Sequence, residues 1–286
     1  MAEEKHSFKQ SLSLFDGTML VAGSMIGSGI FIVSADIVRN VGSAGWLIAV
    51  WVITGIMTLI AAISYGELSG MFPKAGGQYV YLKEAYNPLM GFLYGWSFFA
   101  VIQTATIAAV GVAFSKFLAY LVPELGNTYL LFDLGFMKIY SGQLVAIFII
   151  ILLTFINSKG VKEGKIIQEI FTSAKLIALF GLIAFGFFLV KESFWSQNMA
   201  TGFNAMKDSG VAGTTGELQA TGWQAISGNV LMGSIAAAMV GSIFSSDAWN
   251  NVTFIAGEIK NPKRNIGLSL FLGTLIVTLI YVATNL

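Results

Sequence analysis

Seven apolar runs dominate this chain, at residues 14–38, 45–67, 88–121, 140–157, 165–190, 226–257 and 266–286. A helix needs about 20 such residues to cross roughly 30 Å of hydrocarbon. Inside hydrocarbon the backbone has no water to bond. Segments of this length therefore fold as helices, which satisfy their own N–H and C=O groups. The chain reads as an all-α polytopic membrane protein, with the lipid bilayer as its solvent. Charged residues make up 11% of it, against about 25% in soluble domains. The third and sixth runs are longer than one span, which implies tilt or a break.

Composition removes several function classes. The net charge is +1, so no field draws in nucleic acid. There is no cysteine, and the single histidine, His6, lies in a polar tail. Catalytic residues, metal ligands and cofactor anchors therefore lack raw material, and none is assigned. The first run is too long for a secretory signal, follows Glu3 and Glu4, and lacks a small-residue cleavage site.

Lysine and arginine placement gives an orientation. With the N-terminus in the cytoplasm, Lys5, Lys9, Lys74, Lys83, Lys159, Lys162, Lys165, Lys260, Lys263 and Arg264 fall inside. Only Arg39, Lys138, Lys191 and Lys207 fall outside. The expected location is a plasma (inner) membrane, crossed several times. A seven-span receptor would place its N-terminus outside, so this pattern argues against one. The layout is a cytoplasmic tail at 1–13, a first five-helix unit at 14–190, an extracellular loop at 191–225 and a further pair of spans at 226–286.

Two spans carry helix-breaking material near mid-membrane. The first reads Gly23-Ser24-Met25-Ile26-Gly27-Ser28-Gly29, and the sixth reads Gly241-Ser242-Ile243-Phe244-Ser245-Ser246-Asp247-Ala248-Trp249. Glycine weakens a helix interior. Backbone opened at that depth must line a cavity or be covered by protein. Aligning Gly23 with Gly241 superposes Gly-Ser on Gly-Ser and Ser28 on Ser246. The repeat length, from the start of the first span to the start of the sixth, is five spans, and an odd number inverts the second copy in the membrane. Inverted repeats with broken first helices mark a central substrate site opened alternately to each side. Plain close packing is the competing use of such glycines.

Lys175 lies near the middle of the fifth run, where a charge needs a partner and a reason. It could hold opened backbone of the first span or relay a proton. Asp247 is the one carboxylate deep in a span; it could pair with Lys175, meet a substrate ammonium, or cap the resumed helix. Asn250 and Asn251 are expected to satisfy freed backbone there. Phe244 could close over a bound molecule. Trp46, Trp51, Trp96 and Trp223 read as interfacial anchors. The Phe72–Leu82 stretch, with one Pro, two Gly and three aromatics, reads as a loop docked on the bundle.

Gly23–Phe31, the Phe-Pro-Lys-Ala-Gly-Gly-Gln-Tyr-Val-Tyr stretch at 72–81, and Gly-Glu-Ile-Lys-Asn-Pro-Lys-Arg at 257–264 together resemble the amino acid–polyamine–organocation superfamily. The nearest look is to bacterial L-amino-acid transporters, over essentially the whole chain. The resemblance implies a LeuT-like five-plus-five inverted repeat, with helices 1 and 6 broken. It implies sodium-independent secondary transport of amino acids, neutral ones first, by alternating access and often by exchange. A cationic amino acid or polyamine antiporter is the variant, and a channel a more distant one. By this analogy Gly27, Ser28 and Gly29 hold the substrate carboxylate through backbone N–H groups. The carbonyls of Met25, Phe244 and Asp247 hold its ammonium, Phe244 is the gate and Lys175 the coupling residue. Ser24, Ile26, Ser245 and Ser246 are candidates for the side-chain pocket. No metal is implied, and no partner subunit is named. The family usually has twelve spans, so the chain is expected to hold the first repeat and the first two helices of the second.

Overall fold

The computed structural model describes residues 10–126, 129–133, 135, 138–158, 161–189, 195–208, 211–212, 218–219 and 222–286, with backbone alone at 161–169, 208, 211–212 and 218–219. His6, Lys5, Lys9, Lys159, Lys191 and the side chains of Lys162 and Lys165 lie outside this set. Among the described residues six helical spans are long and apolar enough to cross a membrane, and a bent pair makes a seventh. The described residues are thus mostly helical and multi-pass, with three short two-stranded antiparallel sheets in the connections, and the chain divides into two compact units.

The first unit comprises residues 1–81 and 172–286. Its first helix, α1 (Leu14–Met25), starts at a capping box. Asp16 N–H donates to Ser13 Oγ at 3.3 Å, and Ser13 N–H donates back to Asp16 Oδ2 at 2.8 Å. That reciprocal pair satisfies two N–H groups that a helix start leaves open. The next helix, α2 (Gly29–Val41), ends at Gly42 in the left-handed region, φ 55°. Ser43 then caps α3 (Ala44–Met71) by accepting from Trp46 N–H. The loop after α3 turns through Gly76 and Gly77, both at positive φ, into α4 (Gln78–Ala85). Tyr81 there is buried, T-shaped against Tyr65 and beside Phe72. The stretch from Phe72 is therefore folded onto the unit.

Lengths of small residues let these helices approach closely, the usual device where lipid is as apolar as the core. The last helix, α11 (Pro262–Thr284), packs on α3 and α1. A Cβ on Gly66 would lie 3.1 Å from Gly267 Cα, so the two backbones touch. A Cβ on Gly273 would lie 2.6 Å from Val21 Cβ. Helix α10 (Gly228–Ser245) packs on α2 through Gly241, where a Cβ would meet Val33 Cγ1 at 2.9 Å. Between α3 and α10 lies a buried hydroxyl pair, Thr54 Oγ1 and Ser242 Oγ, 2.7 Å apart. Val21, Ile37, Val50, Ile266, Leu270 and Val277 are fully enclosed between these helices.

Trp51 belongs to this core and is 2% exposed, its N–H donating to Ser34 Oγ and its ring T-shaped on Tyr281. The interfacial-anchor reading of Trp51 is therefore corrected: α2 and α11 cover it. Trp46 instead donates to Phe203 O and stacks edge-on against the Phe203 ring, tying the α2–α3 turn to the later loop.

The second unit, residues 82–171, holds the long third span. Asn87 caps α5 (Pro88–Ser97), with Pro88 at the first turn. The helix widens into a π-helical turn at Phe98–Gln103 and continues as α6 (Thr104–Leu118). The excess length seen in the sequence is thus one 31-residue helix with a π-turn inside it. It packs on α7 (Ser141–Ser158), with Gly111 against Ala146 and Ile150. Helix α8 (Val161–Phe188) then carries the chain into the first unit, which holds its residues from Thr172 onward.

Candidate functional site

The first break is narrow. α1 stops at Met25, Ile26 is extended at φ −70° and ψ 102°, and α2 resumes at Gly29 with its axis turned by 48°. Gly23 and Ser24 remain helical. The second break is equally displaced. α10 runs on to Ser245, Ala248 adopts φ 66°, and a 3-10 turn follows at Trp249–Thr253. Gly241 and Ser242 are helical too. The two Gly-Ser pairs that superpose in sequence are thus packing residues, and the breaks begin just after them, around Ser28 and Ser246. Gly23 shows why: a Cβ there would meet Thr172 Cγ2 of α8 at 3.2 Å.

That closeness of α8 to α1 places Lys175. Its ammonium donates to Ile26 O at 2.6 Å and to Gly23 O at 3.3 Å. Both carbonyls lie at the end of α1, where the last turn leaves C=O groups without intrahelical donors. A cation there also matches the negative end of the helix dipole. Phe31 N–H donates to Ser28 O at 3.2 Å and the Gly27 backbone is hydrogen-bonded to the Tyr281 hydroxyl, while the N–H groups between them fall outside the intrahelical pattern for the same geometric reason. They present a positive end across the same break, suited to a carboxylate.

Asp247 does not meet Lys175. It is exposed, and among the described residues no ion pair involves it. Among the described residues Asn250 and Asn251 make no side-chain hydrogen bond to the break; Asn250 contributes its carbonyl, which accepts from Thr253 Oγ1 at 2.7 Å. The expectation that their amides satisfy freed backbone is corrected on that ground. Phe244 lies on an exposed face of α10, 64% exposed. Met25 and Ile26 are buried, and the Ile26 side chain packs into the core while its carbonyl turns to Lys175. Ser24 is partly exposed, Ser28 exposed, and Ser245 and Ser246 buried. Gly29 faces Ser245 so closely that any Cβ would overlap Ser245 Oγ, which itself donates to Gly241 O at 2.9 Å. The two breaks therefore touch.

The residue that joins them is one the sequence reading missed. Tyr281 of α11 is 2% exposed, and its hydroxyl lies 3.1 Å from Met25 O and 3.0 Å from Ser245 O. One proton is shared between the last carbonyls of two broken helices. A tyrosine in the middle of an apolar run was the available signal, since its hydroxyl needs a partner when buried. Which partner it finds is a matter of three helices meeting.

Near the end of α3, Gln78 Nε2 donates to the Tyr65 hydroxyl, and Tyr65 stacks edge-on with Trp249 just past the second break. Burial pushes the Tyr81 hydroxyl up to about 12, partly offset by its hydrogen bond with Thr253. This cluster fixes the 3-10 turn that follows Ala248 to the loop after α3.

Residues 12–286 match the amino acid permease family. The b(0,+)-type amino acid transporter 1 of Oryctolagus cuniculus is 27% identical over 98% of this chain and 51% of its own length. The large neutral amino acids transporter small subunit 2 of Mus musculus is 29% identical, over 98% of this chain and 47% of its own. The Asc-type amino acid transporter 1 of Mus musculus is 28% identical, over 99% and 48%. The chain spans about half the length of these curated relatives. The match from residue 12 to residue 286, on a chain of membrane helices with a broken first span, settles the family: this chain belongs to the amino acid permeases.

Proposed function

We propose that this chain serves secondary, sodium-independent transport of amino acids, neutral ones first, by alternating access in the plasma membrane with its N-terminus in the cytoplasm. The observation that carries the reading is the Lys175 ammonium on the opened end of α1, at Ile26 O and Gly23 O. A fixed cation stands where a bound cation would otherwise have to neutralise those carbonyls. In this reading the N–H groups of Gly27, Ser28 and Gly29 hold the substrate carboxylate. The carbonyls of Met25, Phe244 and Asp247 receive its ammonium, Phe244 closes over it, and Ser24, Ser245 and Ser246 border the side chain. Met25 O is already an acceptor for Tyr281. Substrate binding would then compete with the hydroxyl that joins the breaks, and so loosen one from the other.

The names of the three relatives, all amino acid transporters, support the substrate class. The test is uptake and exchange of a labelled amino acid panel by the complete polypeptide in proteoliposomes, with and without a sodium gradient. Saturable exchange indifferent to sodium is expected; uptake of no amino acid overturns the proposal. The exposed, unpaired Asp247 favours a second reading, a cationic amino acid or polyamine substrate. Preference for those cations, lost on Asp247→Asn, would select it.

A further inference from the structure

The described residues just before α1, Ser11 and Leu12, are held by backbone pairing. Ser11 N–H and Leu12 N–H both donate to Glu258 O, at 2.9 and 3.0 Å, and Lys260 N–H donates back to Leu12 O at 2.8 Å. Leu12 and Ile259 form a parallel β-bridge, the pairing of two extended strands far apart in sequence. Its receiving side is rigid. Ile259 is fully buried, and Asn265 Nδ2 of α11 holds Lys260 O at 2.6 Å. Leu12 packs against the core from the other side.

The position of this bridge gives it leverage. The hinge of the first span lies at Ile26–Ser28, and α1 has 12 residues between hinge and bridge. At 1.5 Å per residue that is a lever of about 18 Å. A rigid rotation of about 15°, the size seen in known rigid-body switches, moves its far end by about 5 Å. Backbone hydrogen bonds do not survive such a displacement. The near end, held by Lys175, would hardly move.

We propose that Ser11–Leu12 and Glu258–Lys260 form a backbone latch that must part whenever α1 swings about its hinge. The latch ties the end of α1 far from the hinge to the connection that follows α10. It keeps α1 docked on α11 until the bridge opens. This rests on the transport reading given above, because only a chain that alternates needs α1 to move.

These 286 residues have no cysteine, so the pair is added on a background in which any cysteine elsewhere in the complete polypeptide is replaced by serine. Leu12→Cys with Ile259→Cys, in the complete polypeptide in proteoliposomes, is oxidised to a disulfide after folding. Intramolecular closure is read on gels after protease cleavage of an intervening loop. The expected result is closure, a fall in amino acid exchange of about tenfold or more, recovery on reduction, and little change in substrate affinity. Each single variant should keep its exchange under oxidant. Unchanged exchange in the closed protein overturns the latch. So does failure to close while both cysteines react with a maleimide. A wild-type protein that exchanges no amino acid overturns the transport reading, and the latch falls with it.

Discussion

The Lys175 ammonium donates to the Ile26 carbonyl at 2.6 Å, bridging 149 positions of sequence. One helix thereby supplies the missing donor for the broken end of another. A hydrogen bond to a charged group contributes about 1.5–3 kcal/mol. Lys175→Ala is therefore expected to slow exchange about ten- to a hundredfold. Substrate affinity, measured by ligand-induced thermal stabilisation, should fall much less if the lysine acts in the moving step. Equal losses in both would reduce it to a structural tie.

Tyr281→Phe keeps the T-shaped packing on Trp51 and removes only the hydroxyl. Two buried carbonyls, Met25 O and Ser245 O, then lose their shared donor. The expected cost is about 1–3 kcal/mol. A lower melting temperature in detergent is the readout, and a wild-type melting curve would contradict the bridging role.

Glycines should divide by what faces them. Gly66 and Gly267 meet backbone to backbone, so Gly66→Val forces α3 from α11, at about 1–3 kcal/mol. Gly181 has nothing within 4 Å among the described residues, so Gly181→Ala should be neutral, or stabilising by up to about 1 kcal/mol through helix propensity. Melting temperatures of the two variants should move in opposite directions or differ clearly in size.

Thr54 and Ser242 share one buried hydrogen bond between α3 and α10. Alanine at each and at both makes a double-mutant cycle. A coupling of about 0.5–1.5 kcal/mol is expected. Strict additivity would show that the two hydroxyls act separately.

Tyr81 gives a pH test outside the spans. Burial raises its hydroxyl from 10.0 to about 12. A raised folded value means that its contribution is whole below pH 10 and is lost as pH climbs through about 12. The tyrosinate absorbance of wild type minus Tyr81→Phe should titrate at the upper end of that window. A component titrating near 10 would mean that Tyr81 is not enclosed.

Much of the fold was legible because bilayer physics acts on composition. The run at 45–67 became α3 (Ala44–Met71), and the run at 140–157 became α7 (Ser141–Ser158). Apolar length alone decides such helices. Breaks were legible to within a turn. Glycine and serine signal weak helix, but whether a glycine opens the chain or seats a neighbour depends on that neighbour. Gly23 faces Thr172 and Gly241 faces Val33, so both stayed helical.

Side-chain partners were the least legible part. Lys175 and Asp247 were two deep opposite charges, yet the lysine reaches carbonyls and the carboxylate stays exposed. Trp51 and Tyr281 looked like ordinary residues of apolar runs, and instead they enclose the place where two broken helices meet. The sequence by itself determined the membrane class, the number of spans and the neighbourhood of each break, because hydrocarbon demands long apolar helices. Only the tertiary structure decided which carbonyls Lys175 and Tyr281 hold and where Leu12 finds Ile259. Those contacts join residues far apart in the chain, and their geometry exists only after the helices have packed.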